Sequence, residues 1–538
     1  MLKDFLICLS LANLFFMDFW ASLADRSMMY HQKAPAPWGI LAATICDELL
    51  LAVVFWAAVT ILRRWPNTLW TKLARWALLL LLLIPLNMLR GHVLGIYLQN
   101  LLDLFGRPGF VLFALCVSIG SIFVLSRWNR IIFRLAKTTL ILLAPLLPLS
   151  VAYAASFAIQ ASLASTFADK APAPLLPISE ARTPRVLWLI FDELDQRLAF
   201  EERPDSIRLP ELDRLRAQSL YATHAIPPAN ETLLSMPALI TGRLISRAKQ
   251  AGPNELMITF QDSGKTEVWA GNPSVFSRAR SVGFNSAVVG SYHPYCRVMG
   301  DVLNACSFTQ CEWPFQAQEC GWELSVFENM RHQMETQLEW VPFLKRSGLI
   351  RPDQSLRQDH KSLYLQIRQD ALQAVTNTAL GLILLHWPVP HPPGIYDRFT
   401  EALRSDGNSN YFDNLLLMDR AIGELRRIME PDGTWDTTHV LLTADHSLRT
   451  NFWGQQVFWT REEALATGGT ELPHVPFLLK LAGQKTAQTY HSPFNTIVTH
   501  DLILALLRQQ LAEPESVGQW LDHHRTRAHV PPRADAPK

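Results

Sequence analysis

Long apolar runs are concentrated in the first 165 residues of the 538-residue chain. A helix that crosses a bilayer needs roughly 20 mostly apolar residues. The pattern therefore predicts an N-terminal α-helical transmembrane bundle of about five spans, over residues 1–165. The predicted spans are Phe5–Leu23, Trp38–Leu62, Leu73–Leu89, Gly109–Leu125 and Thr138–Ile159.

Basic residues in the loops between these spans predict the orientation of the chain. They cluster between the second and third spans and between the fourth and fifth, which places those loops in the cytoplasm by the positive-inside rule. Five crossings then put the C-terminal part outside. The basic residues are Arg63, Arg64, Lys72 and Arg75, followed by Arg127, Arg130, Arg134 and Lys137.

Two acidic residues, Asp47 and Glu48, interrupt the second predicted span. Ionisable side chains at such a depth are costly and are often functional. The alternative is that both side chains snorkel to the membrane surface.

The pattern changes after a Pro- and Ala-rich linker at residues 166–184. Short apolar runs such as VLWLIF, SAVVG, LGLILLHW and HVLLTAD then alternate with amphipathic stretches such as YFDNLLLMDRAIGELRRIME. Uninterrupted apolar runs of this length are typical of strands that are covered on both faces. The alternation predicts an α/β domain with a largely parallel central sheet over residues 185–510. Residues 511–538 read as a disordered tail.

The cysteines and the net charge indicate the compartment and the partners of the second part of the chain. Four cysteines lie within a stretch of 25 residues in the second part of the chain. In an exported domain such a cluster indicates two disulfides, with three open connectivities. A zinc knuckle is the alternative, although no C-x2-C pair is present. The net charge of +1 gives no indication of a nucleic-acid partner. The four cysteines are Cys296, Cys306, Cys311 and Cys320.

Acidic and imidazole side chains follow three of the predicted strands. Asp192 and Glu193 end one apolar run, Asp445 and His446 end another, and His391 follows a third. Because functional groups gather past the carboxyl ends of parallel strands, we expect these residues to converge. Carboxylate and imidazole ligands suit a divalent cation of the zinc or manganese type, with magnesium or calcium as alternatives.

Thr232 is the predicted nucleophile. A metal lowers the pKa of a bound hydroxyl, and a helix beginning here would present its amide dipoles to an anionic group. The alternative is that Thr232, or Asn230, only caps the helix.

Four segments in this order resemble the alkaline phosphatase and arylsulfatase superfamily over about residues 185–510. They are VLWLIFDE, NETLLSMPALITGR, LLTADHS and HVPFLLKLAG. Sulfatases carry C/S-x-P-S-R nine residues before Thr-Gly-Arg, and here that count leads from Thr241 to Thr232. Ser235 matches the pattern, but Met236 replaces its Arg. Threonine cannot mature to formylglycine, which argues against a sulfatase.

The combination of a Thr nucleophile and preceding spans resembles the membrane phosphoethanolamine transferases and lipoteichoic acid synthases. That resemblance implies a metal held by Glu193, Thr232, Asp445 and His446, with Asp192 nearby or as an alternative ligand.

The same resemblance implies the substrate contacts. It makes His391 and His474 the histidines that face the phosphoryl group, or ligands of a second metal. GSYHPYCR loosely resembles the head-group pocket of the synthases, so that His293 and Arg297 become candidate phosphate contacts; a disulfide-braced surface loop is the alternative. Trp387 occupies the place where two-metal phosphatases usually carry an Asp.

The expected function is therefore a metal-dependent phosphotransferase of a bacterial inner membrane, multi-pass, with a periplasmic catalytic domain. Thr232 would take a phosphoethanolamine or phosphoglycerol head group from a phospholipid donor, with His391 as acid or base. An envelope glycan or lipid would accept the group. The alternatives are a phosphate or sulfate ester hydrolase that uses the same intermediate, and a non-catalytic envelope protein.

Overall fold

The computed structural model describes residues 1–23, 27–31, 38–64, 76, 98–163, 167–177, 185–309, 325–338, 352–456 and 458–524. Two compact units are present. The first contains Met1–Asp25, Ala36–Leu163 and Leu324–Ile350, and the second contains Arg26–Pro35, Ala164–Glu323 and Arg351–Lys538. The first unit thus includes Leu324–Ile350 from the later part of the chain, and the second includes Arg26–Pro35 from the early part.

The first unit is helical. Its helices are α1 (Leu2–Phe15), α2 (Met17–Leu23), α3 (Trp38–Arg63), α4 (Leu98–Leu143), α5 (Leu146–Leu163) and an unnumbered helix at Val326–Leu338. Backbone angles inside α4 depart from helical values at Gly106, with φ of 65°, and at Trp128, with φ of −118°.

Three described segments are long and apolar enough to cross a membrane: Trp38–Ile61, Pro108–Trp128 and Arg130–Ser156. The predicted first span, Phe5–Leu23, is wrong as a single helix, because α1 and α2 have only 14 and 7 residues. At 1.5 Å per residue, α1 is shorter than the roughly 30 Å hydrocarbon core. The predicted span Leu73–Leu89 lies outside the described residues except for position 76.

Polar side chains are buried within the first unit. Asp47 and Glu48 are both enclosed by protein, and Trp20 Nε1 donates a hydrogen bond of 3.1 Å to Glu48 Oε2. Gln333, from the helix Val326–Leu338, donates to the carbonyl of Ile40 at 3.3 Å. Glu48 therefore has an interior partner and does not snorkel.

A large sheet forms the centre of the second unit. Its strands are β1 (Arg185–Phe191), β2 (Leu220–Ile226), β6 (Ser286–Ser291), β7 (Ala305–Thr309), β8 (Leu382–Trp387), β11 (Thr438–Ala444), β12 (Val475–Lys480), β13 (Gln488–Tyr490) and β14 (Phe494–Asn495). Their order is β13-β2-β12-β11-β1-β8-β6-β7, and β14 also pairs with β2. β12 is antiparallel to β11 and β2, whereas the other pairings are parallel.

Two small antiparallel sheets accompany the large one. They comprise β3 (Ile245–Gly252), β4 (Glu255–Phe260) and β5 (Thr266–Val268), and then β9 (Tyr396–Asp397) and β10 (Ala402–Leu403).

The helices of the second unit cover the sheet and position its loops. They are α6 (Pro210–Arg216), α7 (Thr232–Thr241), α8 (Val275–Ser281), α9 (Tyr295–Met299), α10 (Pro352–Thr376), α11 (Tyr411–Met429), α12 (Thr450–Trp453), α13 (Arg461–Thr467), α14 (Thr499–Leu507) and α15 (Pro514–His524).

The sequence explains both the strands and the helix starts. Every residue of β1, β8 and β11 is buried, as their continuous apolar runs predict. Asn410 caps α11 and forms a capping box with Asp413, so that α11 begins at Tyr411. The two signals together confirm the predicted α/β fold with a mostly parallel central sheet.

The end of the chain is more ordered than predicted up to His524. Helix α15 buries Val517 and Leu521, so disorder is wrong for Pro514–His524. The reason is a short apolar stripe at a spacing of four residues. Residues 525–538 lie outside the described part of the chain.

One disulfide joins Cys296 in α9 to Cys306 in β7. This settles the partner of each of these two cysteines among the three open connectivities. Cys311 and Cys320 lie outside the described residues, so the predicted second disulfide stays a prediction.

Candidate active site

The site is built at the carboxyl ends of two neighbouring parallel strands. β1 and β11 pair in register, with Phe191 opposite Ala444. An aspartate directly follows each strand: Asp192 follows β1 and Asp445 follows β11. Both therefore lie at the same edge of the sheet. The convergence that the sequence predicts is thus a direct result of this register.

A buried cluster of possible metal ligands lies at this edge. Asp192, Asp445 and His446 offer ligand atoms that lie within 4.8 Å of one another. His446 Nε2 is 3.4 Å from Asp445 Oδ2 and 3.6 Å from Asp192 Oδ1. The other ring nitrogen, Nδ1, lies 3.0 Å from the carbonyl of Ser447, which fixes the ring so that Nε2 faces the carboxylates.

Thr232 brings a hydroxyl into this cluster. Its Oγ1 donates a hydrogen bond of 2.7 Å to Asp445 Oδ2 and lies 3.3 Å from His446 Nε2. Thr232 is the first residue of α7, and Glu231 occupies the N-cap position. The capping alternative for Thr232 is therefore wrong, because its side chain turns away from the helix and towards the acidic groups. The first turn of α7 also supplies amide dipoles that favour an anion.

The carboxylate of Glu193, a predicted metal ligand, accepts hydrogen bonds from two neighbouring side chains. Its carboxylate accepts a hydrogen bond of 2.5 Å from Arg449 Nε and another of 2.5 Å from Trp453 Nε1. Its backbone is left-handed, with φ of 59°, so its side chain departs from that of Asp192. The structure places Asp192, the alternative ligand of the sequence analysis, in the cluster, and metal binding by Glu193 stays a prediction.

The donor set of the cluster fits a divalent cation. Asp192 Oδ1 is buried and has no hydrogen-bond partner among the described residues. Burial raises the pKa of Asp192 well above its ordinary value, and the neighbouring carboxylates of Asp445 and Glu193 raise it further. Such crowding of carboxylates is relieved by a bound cation, and the combination of carboxylate, imidazole and hydroxyl suits zinc or manganese.

Arg449 and Trp453 are site residues that sequence reasoning missed. The Arg449 side chain is 30% exposed, and it donates a hydrogen bond to Glu193 through Nε. Among the described residues its terminal nitrogens have no hydrogen-bond partner, so they are available to an anion beside the cluster. Its position three residues after His446, in ADHSLR, is the only signal in the sequence.

His391 lies in the loop that follows β8, beside Trp453. Its ring centroid is 4.9 Å from that of Trp453 and 6.1 Å from that of His360. Burial lowers the pKa of His391 well below its ordinary value, and the neighbouring His360 and Arg449 lower it further. The ring is therefore neutral at pH 7.

His474 lies in a different environment from His391. Its ring packs edge-to-face on His224, with centroids 5.5 Å apart, and its carbonyl accepts a hydrogen bond from the amide of Gln196. Its predicted contact with a phosphoryl group stays a prediction.

His293 and Arg297 make internal contacts instead of the predicted phosphate contacts. His293 Nδ1 lies 2.8 Å from the Tyr30 hydroxyl, and Nε2 lies 3.1 Å from the carbonyl of Thr232. Arg297 donates to the carbonyl of Tyr30 at 2.7 Å and packs against the ring of Phe308. Both side chains are almost completely buried, which leaves the two ring nitrogens of His293 no place for a phosphate.

Comparison with known families identifies the second unit. The Sulfatase family model matches residues 184–509, which is more than half of the chain. The protein belongs to the sulfatase family. It is thus an enzyme that acts on sulfate or phosphate esters, and its Asp192, Asp445 and His446 are candidates for the metal site that members of this superfamily use.

Solved structures similar to this sulfatase-family protein include three enzymes of different specificity. The PsFucS1 sulfatase from Pseudoalteromonas sp. is 14% identical, with a TM-score of 0.40, over 64% of this chain and 75% of that chain. The phosphonate monoester hydrolase of Agrobacterium radiobacter is 12% identical, with a TM-score of 0.37, over 60% and 74%. The lipoteichoic acid synthase LtaP from Listeria monocytogenes is 13% identical, with a TM-score of 0.37, over 62% and 75%. No curated protein matches the chain.

Proposed function

We propose that this sulfatase-family protein is a metal-dependent phosphotransferase of a bacterial inner membrane, with its catalytic unit on the periplasmic side. Its donor is a phospholipid with a phosphoethanolamine or phosphoglycerol head group. The head group passes through a covalent phospho-Thr232 intermediate to a hydroxyl of an envelope glycan or lipid.

The observation that carries this proposal is the hydroxyl of Thr232 within hydrogen-bond distance of Asp445. This hydroxyl occupies the position at which the sulfatase pattern has its Cys or Ser. Threonine has no route to formylglycine, but its hydroxyl is a competent nucleophile when an adjacent group takes its proton. A divalent cation, when bound by Asp192, Asp445, His446 and Thr232, supplies a lowered hydroxyl pKa and neutralises phosphate charge.

In the first step, Thr232 Oγ attacks the phosphorus of the phosphodiester. The bond from Oγ to phosphorus forms, and the bond from phosphorus to the diacylglycerol oxygen breaks. The hydroxyl proton of Thr232 passes along its hydrogen bond to Asp445 and is released to solvent, and diacylglycerol leaves with a proton from solvent. Arg449 and the first amides of α7 stabilise the oxygen atoms on which negative charge develops.

In the second step, the acceptor hydroxyl attacks the phosphothreonine. The neutral ring of His391 accepts the acceptor's proton as the new bond to phosphorus forms. The bond to Thr232 Oγ breaks and that oxygen takes up a proton from solvent, while His391 releases the acceptor's proton to solvent. The enzyme is thereby restored and the acceptor carries the head group.

The apolar helices support a lipid donor. The segments Trp38–Ile61, Pro108–Trp128 and Arg130–Ser156 are each long enough to cross a bilayer, by length and composition. An enzyme attached to the membrane meets a phospholipid without diffusing through water. Because the enzyme and a phospholipid would both lie in the membrane, the helices favour a lipid donor over a soluble phosphodiester.

The test is mass spectrometry of the Thr232 peptide. The protein in detergent micelles, loaded with Zn²⁺ or Mn²⁺, is mixed with phosphatidylethanolamine or phosphatidylglycerol, beside a Thr232→Ala control. We expect a head-group adduct on Thr232 from one lipid and none in the control. If neither lipid leaves an adduct or releases diacylglycerol from metal-loaded protein, the proposed function is wrong.

Membership of the sulfatase family favours a second candidate, a hydrolase that uses water as the acceptor. The same reaction separates the two functions. A hydrolase releases the free phosphorylated head group in an amount equal to the diacylglycerol formed. A transferase releases diacylglycerol only in proportion to the acceptor supplied.

A further inference from the structure

Residues 27–31, which lie between α2 and α3 in the chain, belong to the catalytic unit. Residues 27–31 are grouped with the second unit, although the helices before and after them in the chain belong to the first. Tyr30 is completely buried there. A loop with a purely connecting role is usually exposed, so burial of its tyrosine indicates a specific task.

Tyr30 is held in place through its backbone. Its carbonyl accepts a hydrogen bond of 2.7 Å from Arg297 Nη2, and Arg297 is itself buried against the rings of Phe167 and Phe308. The next residue, His31, lies 2.9 Å from the side-chain amide of Gln250 on β3. These contacts fix the loop, and with it the direction of the Tyr30 hydroxyl.

Two hydrogen bonds lead from that hydroxyl to the nucleophile. The Tyr30 hydroxyl lies 2.8 Å from His293 Nδ1, and His293 Nε2 lies 3.1 Å from the carbonyl of Thr232. A carbonyl oxygen only accepts, so Nε2 carries a hydrogen. In the neutral ring Nδ1 then accepts from Tyr30. The ring of Trp269, with its centroid 5.0 Å from that of His293, restricts the imidazole further.

We propose that Tyr30 is a positioning residue, which acts through His293 to hold the backbone of Thr232 so that its hydroxyl faces Asp445. This inference rests on the proposed role of Thr232 as the nucleophile. The Thr232 carbonyl lies in the first turn of α7, where a small rotation of the peptide would displace the side chain. A displacement of about 1 Å at a reacting group can lower a rate by about a hundredfold.

The test compares Tyr30→Phe with a matched control, Tyr490→Phe. Both substitutions remove one tyrosine hydroxyl that is hydrogen-bonded in the native protein; Tyr490 bonds to Asp522 Oδ1 at 2.8 Å on α15. Rapid-quench mass spectrometry follows the modification of Thr232 by phosphatidylethanolamine, phosphatidylglycerol or bis(p-nitrophenyl) phosphate. Hydrogen exchange of residues 232–236 is measured on the same full-length proteins without any donor.

We expect Tyr30→Phe to slow the modification of Thr232 about tenfold and to leave KM within twofold of the native value. Exchange in residues 232–236 should accelerate about tenfold, and Tyr490→Phe should change neither quantity. His293→Gln, whose amide can both accept and donate, should react at least threefold faster than His293→Leu. Native values in Tyr30→Phe, or equal effects of the two tyrosine substitutions, would overturn the proposal.

The exchange measurement keeps this inference separate from the proposed function. If no donor modifies Thr232 in the native protein, the proposed function fails while the exchange rates are still measured. Faster exchange in Tyr30→Phe alone would then support the positioning of Thr232 by Tyr30. Unchanged exchange would overturn that positioning as well.

Discussion

Arg449 Nε lies 2.5 Å from Glu193 Oε1, at the side of the cluster formed by Asp192, Asp445 and His446. This ion pair gives two adjacent acidic residues different tasks. Asp192 offers the cluster an oxygen that has no hydrogen-bond partner among the described residues, whereas Glu193 orients a guanidinium. Two predictions follow from this division.

The first prediction separates Asp192 from Glu193 by metal binding. Asp192→Asn should weaken the binding of Zn²⁺ at least tenfold, because it removes a charged ligand. Glu193→Gln should retain the metal but lower activity, because Arg449 loses its charged partner. Metal content after dialysis and calorimetric titration measure both effects.

The control for this comparison is Asp195→Asn. Asp195 is buried nearby, but its Oδ1 accepts from the amide of Leu198 and it is not a member of the cluster. Its substitution should leave metal binding unchanged. Loss of metal in Glu193→Gln together with full retention in Asp192→Asn would support the assignment made from the sequence.

The second prediction concerns the anion contact of Arg449. Arg449→Ala should raise KM for a phosphodiester substrate by about tenfold to a hundredfold, since a hydrogen bond to a charged group contributes about 1.5–3 kcal/mol. Metal content should not change. Steady-state kinetics should be compared with Arg368→Ala, which breaks the pair with Glu424 between α10 and α11. A KM that rises equally in both variants would assign Arg449 to general stability.

The sequence predicts the strands of the sheet because strands that are buried on both faces consist of continuous apolar runs. VLWLIF, SAVVG and HVLLTA all fall within β1, β6 and β11. The parallel register then brings Asp192 and Asp445 together, so this part of the site follows from pattern alone.

The remaining features depend on geometry that no local pattern encodes. The different settings of Asp192 and Glu193 come with a left-handed backbone at Glu193, where the sequence shows only two acids in a row. His293 resembles a substrate contact in the sequence, yet it is buried against Tyr30, 263 residues earlier. A break between α1 and α2 removes a predicted span although both helices are apolar.

The third prediction is that the Cys296–Cys306 disulfide stabilises the catalytic unit. It joins α9 to β7 across a sequence separation of 10. Disulfides of this kind contribute about 2–4 kcal/mol, mainly by restricting the unfolded chain. The double variant Cys296→Ala/Cys306→Ala should therefore unfold at a lower temperature than the native protein in detergent. A reducing agent has no Cys296–Cys306 bond to break in the double variant, so it should not lower the melting temperature of that variant through this bond. A double variant that melts at the native temperature would contradict the prediction.

The fourth prediction concerns stability at acidic pH and involves His439, on β11. Its Nδ1 accepts a hydrogen bond of 3.1 Å from the amide of Ala482, which requires the neutral ring. Burial lowers the pKa of His439 to about 4, and the nearby Lys480 contributes to the shift. In the unfolded chain the value is about 6.5. The unfolded state therefore binds more protons below pH 6.5, and stability should fall as the pH drops from 6.5 to about 4.

The size of this effect is limited by the two pKa values. Their difference corresponds to at most about 3 kcal/mol at pH 4. His439→Gln offers an amide oxygen to the Ala482 amide and does not titrate, so its unfolding should depend less on pH over this interval. Urea unfolding of both proteins in detergent between pH 4 and pH 7.5 measures the difference. Parallel curves for the two proteins would show that the ring of His439 does not account for the acid sensitivity.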